Sequence, residues 1–550
     1  MARRGHVYPQ VEPGAVALVN VPPIVLEPEA SVASAFDVAR HRDAGALVTS
    51  SNRLVLRADL ARARDLGLAH LPARTLARPV PVVAASASEV AVRRHLARGA
   101  TAVLVRDGSR VVGAVLRPVV EGAIARPSIR HRLGRLPAAV RDVVRTVEHL
   151  AAREGVRAWL VGGVVRDLLR DAPFTRVDVD ITVEGDGVAL ADRLASELGG
   201  RLTVHAQFLT ASIETDTLGT VDVTTARSER YARPGALPVV QAADIERDLG
   251  RRDVTVNAMA VALAEDAALH DPYGGQADLG TRRLRVLHPL SLVEDPTRIF
   301  RAARYAARLG FTVEPWTRQC RRLALGLAPY AALSGARLVA EVEAIMADER
   351  PDVALRELGD GGAYRLFDTA YRFSEPTRRT IGALVPALGW ASARGLGVRP
   401  VEAAMTALLA DQRGEVVRSA LDRLGIIGEP RERIEHALAV GRTVPATLRG
   451  ARTSSERGRV LRPLGPLALT WLRVTGDVEV RTSLDWWTTT GCAVASTLRG
   501  DDVLALGVPR GPEVARVLDA LRDARLDTTV GTRDAEADWV RRWLVSRKEG

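Results

Sequence analysis

Residues 177–181 read Val-Asp-Val-Asp-Ile. Side chains alternate across a strand, so Asp178 and Asp180 share one face and the three β-branched residues share the other. Two ionised carboxylates side by side repel, and burial makes the repulsion worse. A bound divalent cation resolves the conflict. Carboxylates are the hard oxygen ligands that Mg²⁺ prefers, with phosphate oxygens filling its remaining positions. The alternative is a solvated edge strand that happens to be acidic.

The neighbouring motifs favour the cation. Trp159 and Leu160 end a predicted strand, and Gly162–Gly163 turn into a helix beginning near Val164. Paired glycines let a backbone approach a polyphosphate without Cβ clashes, and a helix N-terminus offers unpaired N–H groups. Arg166 in the first turn adds a charge. Asp222, in the stretch TVDVTTAR, is either a third acid of the metal site or a surface strand residue. Downstream follow RRDVTVNAMA, beginning at Arg251, then DPYGGQADL from Asp271 and EDPTR from Glu294. Asp253 can accept from a ligand hydroxyl; the alternative is a surface ion pair with an N-capped helix, Asp253 capping VTVNAMAVAL. Asp295 with Pro296 reads as an N-cap followed by proline at the first helical position.

A chain of 550 residues is too long for one ordinary core and predicts three or more domains. No apolar run reaches membrane-span length, and the opening MARRGHVYPQ lacks a signal-peptide core. Two cysteines, Cys320 and Cys492, exclude a disulfide framework. These features predict a cytoplasmic location and no membrane partner. The formal charge of +11 suits a polyanionic partner. Arginine is used almost to the exclusion of lysine, with only Lys548 present. The excess is therefore equally readable as the bias of a GC-rich genome.

The expected layout is multidomain. Residues 1–24 read as a loose lead-in. Residues 25–130 hold two similar α/β units, each an extended stretch, a helix and a hairpin: VPPIVLEP, Ser31–Arg40 and GALVTSSNRLVLRADL, then VPVVAAS, Ser88–Arg98 and TAVLVRDGSRVVGAVLRP. Residues 131–155 contain a linker helix, 156–290 an α+β head, 291–350 a helical neck and 351–550 an all-α body and tail.

The repeat, with DLARARDLGLAHLPA after its first unit, resembles a tandem CBS pair. Such pairs bind adenosine ligands through a Ser/Thr and an Asp after the last strand. Here Leu56 stands at the Ser/Thr place, Asp59 remains, and the second unit offers LRPVV with no Asp. A structural or dimerising role is expected ahead of ligand sensing, with a homodimer through this module.

The five motifs between residues 156 and 330, in unbroken order, resemble the class II tRNA nucleotidyltransferases and bacterial poly(A) polymerases. The resemblance implies metal binding and catalysis by Asp178 and Asp180, and triphosphate contacts at Gly162 and Gly163. It implies ribose or phosphate contacts at Arg252, Asp253 and Asn257. Arg251 or Arg252 suits phosphate oxygens in any case. The cofactor implied is Mg²⁺; the partners are tRNA, ATP and CTP. The expected activity is addition of CCA or the terminal A to tRNA. Alternatives are template-independent poly(A) synthesis and an inactive RNA-binding or adenylate-sensing protein.

Asp295 and Arg298 are three apart and share one helical face. Cytosine and adenine each present an amine donor beside an unprotonated ring nitrogen; uracil and guanine present a carbonyl beside an N–H. A carboxylate and a guanidinium therefore match C and A and mismatch U and G. The family assigns this role to its matching pair. The segment Arg227–Val240, with Gly235 and two prolines, predicts a mobile loop; in the family a loop here accompanies A addition. Arg301, Arg304 and Arg308 continue at near-helical spacing as a phosphate path for RNA, or as a solvated face with ion pairs. A second cluster, Arg442, Arg449, Arg452, Arg457, Arg459 and Arg462, reads as a flexible basic loop able to grip RNA.

Overall fold

The computed structural model describes residues 14–117, 127–171, 174, 178–216 and 219–546. Val177 of the acidic strand and residues 118–120 of LRPVV lie outside this set. Two compact units divide between Ser334 and Gly335, inside the stretch expected to form the neck.

The first unit begins with the repeat. α1 (Val32–His41), β1 (Ala46–Val48), β2 (Arg53–Leu56) and α2 (Arg57–Asp65) are followed by β3 (Arg78–Pro79) and β4 (Val82–Ala84). The order then recurs as α3 (Glu89–Ala97), β5 (Ala102–Asp107) and β6 (Arg110–Leu116). Both α1 and α3 start on a serine cap, Ser31 accepting from Ser34 N and Ser88 from Ala91 N. The strands form two separate three-stranded sheets. Residues 14–24 are not loose, contrary to expectation. Ala15 is fully buried, Leu18 and Val19 pack on the second repeat's core, and Val21 bridges to Ala114. Covering that apolar surface outweighs the lack of a regular period. Asp59 is buried and paired with Arg78 at 2.5 Å.

The repeat docks directly on the head. Arg117 donates to the carbonyls of Asp271, at 3.1 Å, and Pro272. Gly99 meets the DPYGG turn so closely that a Cβ on it would fall 2.2 Å from Gly274 Cα. Only glycine fits there.

α4 (Arg130–Leu133) and α5 (Ala138–Glu154) lead into the head. The apolar spacing of α5 buries Val140, Val143, Val147 and Leu150. The head's strands and helices run β7 (Arg157–Val161), α6 (Gly163–Leu169), β8 (Val179–Glu184), α7 (Gly187–Leu198), β9 (Arg201–His205), β10 (Thr210–Thr215) and β11 (Gly219–Thr225). They continue with β12 (Arg227–Arg230), β13 (Val239–Ala242), α8 (Ile245–Gly250), β14 (Ala260–Ala262) and β15 (Leu269–His270). One mixed sheet has the order β15-β14-β7-β8-β11-β10-β9. Alternation sends Val179, Ile181, Val183, Val221 and Val223 into the core shared with α5 and α7. It sends Asp180 and Asp222 to the opposite face.

One alternative fails locally. VTVNAMAVAL is not a helix. It is a 3-10 turn, Thr255–Asn257, followed by β14. The open place beside β7 favours pairing, with Ala260 opposite Val161 and the β-branched Val261 opposite Leu160. The Arg227–Val240 segment is irregular through residues 231–238, as a loop would be. β12 and β13 close it into an antiparallel hairpin.

α9 (Gly275–Thr281), β16 (Arg283–Leu284), α10 (Ser291–Glu294), α11 (Thr297–Leu309), β17 (Thr312–Val313) and α12 (Pro315–Gly326) complete the first unit. The second unit is helical among its described residues, from α13 (Gly335–Met346) to a C-terminal helix, Arg533–Ser546. The basic stretch expected as a flexible loop is instead mostly helical. Arg442 and Arg449 lie in the helix Gly428–Gly450, and Arg457 and Arg459 in the helix Ser454–Leu461. A Thr453–Glu456 capping box starts the latter, with Arg452 N donating to Glu456. Arg449 pairs with Asp477, Arg459 with Asp523, and Arg462 with Asp519 and Asp523.

Candidate active site

The sheet register explains why the motifs meet. Val161, the last residue of β7, lies opposite Asp180, and Asp180 lies beside Asp222 on parallel β11. The chain leaves β7 through Gly162, which adopts φ 72°. A Cβ there would stand 2.9 Å from Asp180 Oδ2. Asp178 precedes β8 and is exposed; Asp180 is half-buried. Both open, with Gly162 and Gly163, into one cavity of about 500 Å³.

The same cavity is lined by Arg166, Arg252, Asp253, Asn257, Asp295, Arg298, Arg301, Arg304 and Arg308. Asp222 differs. Its Oδ1 accepts from Ser212 Oγ at 2.5 Å. Among the described residues no three His, Cys, Asp or Glu side chains gather as a metal cluster. Of the three acids considered for the metal, Asp178 and Asp180 line the cavity and Asp222 does not.

Charge is crowded here. Burial pushes the Asp180 carboxyl up to about 6, and Asp222 and Asp178 push the same way, against Arg252 and Arg166. A carboxylate made costly by desolvation and by like-charged neighbours is stabilised by a cation in reach. The donor set fits a hard divalent ion.

The arginines are held in place by acids the sequence reading overlooked. Asp248, fully buried on α8, accepts from Arg251 through Oδ1 at 2.8 Å and from Arg252 through Oδ2 at 3.1 Å. Burial would raise its pKa, but the two guanidinium groups outweigh that and lower it. A signal existed: Asp248 is three and four residues before these arginines. Arg166 is buried between Asp167, at 2.8 Å, and Asn257 Oδ1, at 2.8 Å. Asp253 binds Arg301 at 2.7 Å. Burial is again outweighed there, by Arg301 and Arg298, and its pKa falls. Arg301 is therefore one of the ion pairs weighed for this helix face. Arg304 stacks over Tyr305.

Pro296, not Asp295 as expected, is the N-cap of α11; Asp295 stands one residue earlier, its Oδ1 accepting from Thr297 N at 3.0 Å and Thr297 Oγ1 at 2.7 Å. Arg298 is buried. It donates to Ser291 Oγ at 2.9 Å, Tyr231 OH at 3.2 Å and the Arg251 carbonyl at 2.7 Å. Tyr231 in turn donates to Glu229 Oε2 at 2.7 Å. Tyr231 and Glu229 come from the β12–β13 hairpin and its start. The sequence singled out their segment, Arg227–Val240, but neither side chain.

A family profile described as "Poly A polymerase head domain" matches residues 158–285. The A-adding tRNA nucleotidyltransferase of Geobacter sulfurreducens is 32% identical over 75% of this chain, which spans 48% of that longer relative. The CC-adding tRNA nucleotidyltransferase of Deinococcus radiodurans is 32% identical over 70% of this chain and 89% of its own length. The chain belongs to the class II tRNA nucleotidyltransferase family. Its fold agrees with that membership. The apo form of a CCA-adding enzyme matches with a TM-score of 0.69 at 24% identity, over 76% of this chain and 99% of the other. The chain spans about half the length of two of the first three curated relatives it matches, and 24% of the other. As a family member it has the mixed α/β head followed by a large helical region.

Proposed function

We propose that this family member adds CCA, or its terminal A, to the 3′ end of tRNA, using CTP and/or ATP. One observation carries the reading. The Gly162–Gly163 turn, the Asp178–Asp180 pair and the Asp295–Arg298 pair all open into a single cavity. Relatives named for adding A or CC to tRNA support it.

In the reaction, the RNA 3′-hydroxyl oxygen bonds to the α-phosphorus of the nucleotide. The bond from that phosphorus to the β-phosphate bridge breaks, pyrophosphate leaves, and the hydroxyl proton passes to solvent. Gly162 and Gly163 let the triphosphate approach the backbone. Arg252, with its guanidinium held by Asp248, meets phosphate charge, and Asp253 and Asn257 meet the ribose or phosphates. Asp178 and Asp180 would hold Mg²⁺, which supplies charge stabilisation at the reacting phosphate.

Asp295 accepts from the exocyclic amine of C or A, and Arg298 donates to the adjacent ring nitrogen. The contacts to Ser291, Tyr231 and the Arg251 carbonyl fix the guanidinium before the base arrives. Arg304 and Arg308, with Arg301 beside Asp253, lead RNA phosphates toward the acids.

We infer further that residues 25–130 form a CBS-like pair whose role is structural or dimerising. The repeated helix–strand–strand order supports this, as does Asp59, committed to Arg78. The protein is read as cytoplasmic; no helix among the described residues is long and apolar enough to cross a membrane.

Labelled CTP and ATP, offered separately, test the reading on tRNAs ending before CCA, tRNAs ending after CC, and RNA without tRNA shape. CMP entering the first substrate supports CCA addition. AMP entering only the second supports terminal-A addition. Long adenylate tracts on unshaped RNA would replace this reading with poly(A) synthesis. RNA binding without any incorporation would replace it with an inactive binding protein.

A further inference from the structure

We propose that Arg62, on α2 of the N-terminal repeat, is a positioning residue for nucleotide choice, acting by clamping Glu294 next to the base-reading Asp295. This rests on the role given above to Asp295 and Arg298.

Glu294 is the last residue of α10, and its side chain is only 5% exposed. Arg62 Nη1 meets its Oε1 at 2.8 Å, and His288 Nε2 lies 3.4 Å from its Oε2. The Glu294 carbonyl accepts from Gly235 N, at the tip of the β12–β13 hairpin, at 3.1 Å. One turn earlier on α10, Ser291 Oγ accepts from Arg298. This four-residue helix therefore touches both halves of the base reader: Asp295 continues its chain, and Arg298 is tied to its side.

The charges around Glu294 give the clamp its consequence. A buried carboxylate without a counter-charge is strongly destabilising. Burial, with Arg62 and Arg298 nearby, holds His288 well below its ordinary pKa, so it is neutral and supplies no such charge. Glu229 is negative and repels. Burial raises the Glu294 pKa even with Arg62 beside it, and Arg298 is the other cation that favours the ionised form. Without Arg62, the ionised fraction of Glu294 competes with Tyr231, the Arg251 carbonyl and the nearby Glu229, 3.7 Å away, for Arg298, and draws it from the ring nitrogen it reads. Base selection depends on placement to within a fraction of an ångström. The N-terminal repeat thus braces the specificity site from outside the head.

The test uses the full chain and measures both equilibrium binding and kcat/KM for ATP and GTP with a tRNA acceptor. Arg62→Ala should lower the ATP-over-GTP preference on the order of tenfold, with KM for tRNA unchanged. Arg62→Lys should retain most of the preference. Adding Glu294→Gln to Arg62→Ala should recover it, because a neutral side chain no longer attracts Arg298. Arg53→Ala removes another contact of the same docking surface, 2.8 Å to Gln319 Oε1, and should leave the preference intact. Should Arg62→Ala not fold, Arg62→Gln gives the same comparison. An unchanged preference in the Arg62 variants overturns the proposal, as does an equal loss in Arg53→Ala. A wild-type protein that binds ATP over GTP but transfers neither refutes the transfer reading alone; the binding ratio then still decides the clamp.

Discussion

Gly162 and Asp180 are in contact across the end of β7: a methyl group on the glycine would lie 2.9 Å from the carboxylate oxygen. The glycine also holds φ 72°, a conformation other residues adopt only with strain. Gly162→Ala should therefore displace Asp180 and strain the turn by about 1–3 kcal/mol. Incorporation should fall on the order of 10²-fold with a modest drop in melting temperature, measured by single-turnover kinetics and calorimetry.

Asp295→Asn separates base reading from the hydrogen bonds that hold the start of α11. The asparagine side-chain oxygen still accepts, so the bonds from Thr297 can persist. It presents a donor as readily as an acceptor, so the mismatch with U and G weakens. Discrimination should fall on the order of 10²-fold, read as kcat/KM for ATP against GTP and CTP against UTP, with thermal stability nearly unchanged.

Asp248→Ala should be costly for folding. It leaves the Arg251 and Arg252 guanidinium groups without the buried carboxylate they share. The expected loss is about 3–5 kcal/mol, measured by denaturant unfolding.

The sequence made the acidic strand, the double glycine and the Asp295–Arg298 spacing readable because each has its own periodicity or turn chemistry. Their meeting in one cavity depends on β7, β8 and β11 being neighbours, which local pattern does not encode. The alternative helix after Asp253 does not form for the same reason: the sheet had a vacancy beside β7, and Ala260–Ala262 filled it. Tyr231 and Glu229 were invisible because nothing local distinguishes a hairpin that supports Arg298 from a plain loop. Residues 14–24 misled because their apolar positions serve a neighbouring surface rather than a regular element of their own.

The raised Asp180 pKa sets a pH window. Its folded value of about 6 lies above the ordinary 3.8, so folding favours the protonated form. Metal-free stability should fall as pH rises from about 4 to about 6, then level off. Asp180→Asn should flatten that slope. Magnesium competes with the proton, so its affinity should rise over the same window, as followed by isothermal titration.

The most direct test follows labelled AMP and CMP into tRNA in the wild type and in Asp178→Ala and Asp180→Ala. The wild type should label the RNA 3′ end, and both variants should lose incorporation while still retaining tRNA in a filter-binding assay. Full activity in both variants would contradict the account, because the paired acids could then not be where the chemistry occurs.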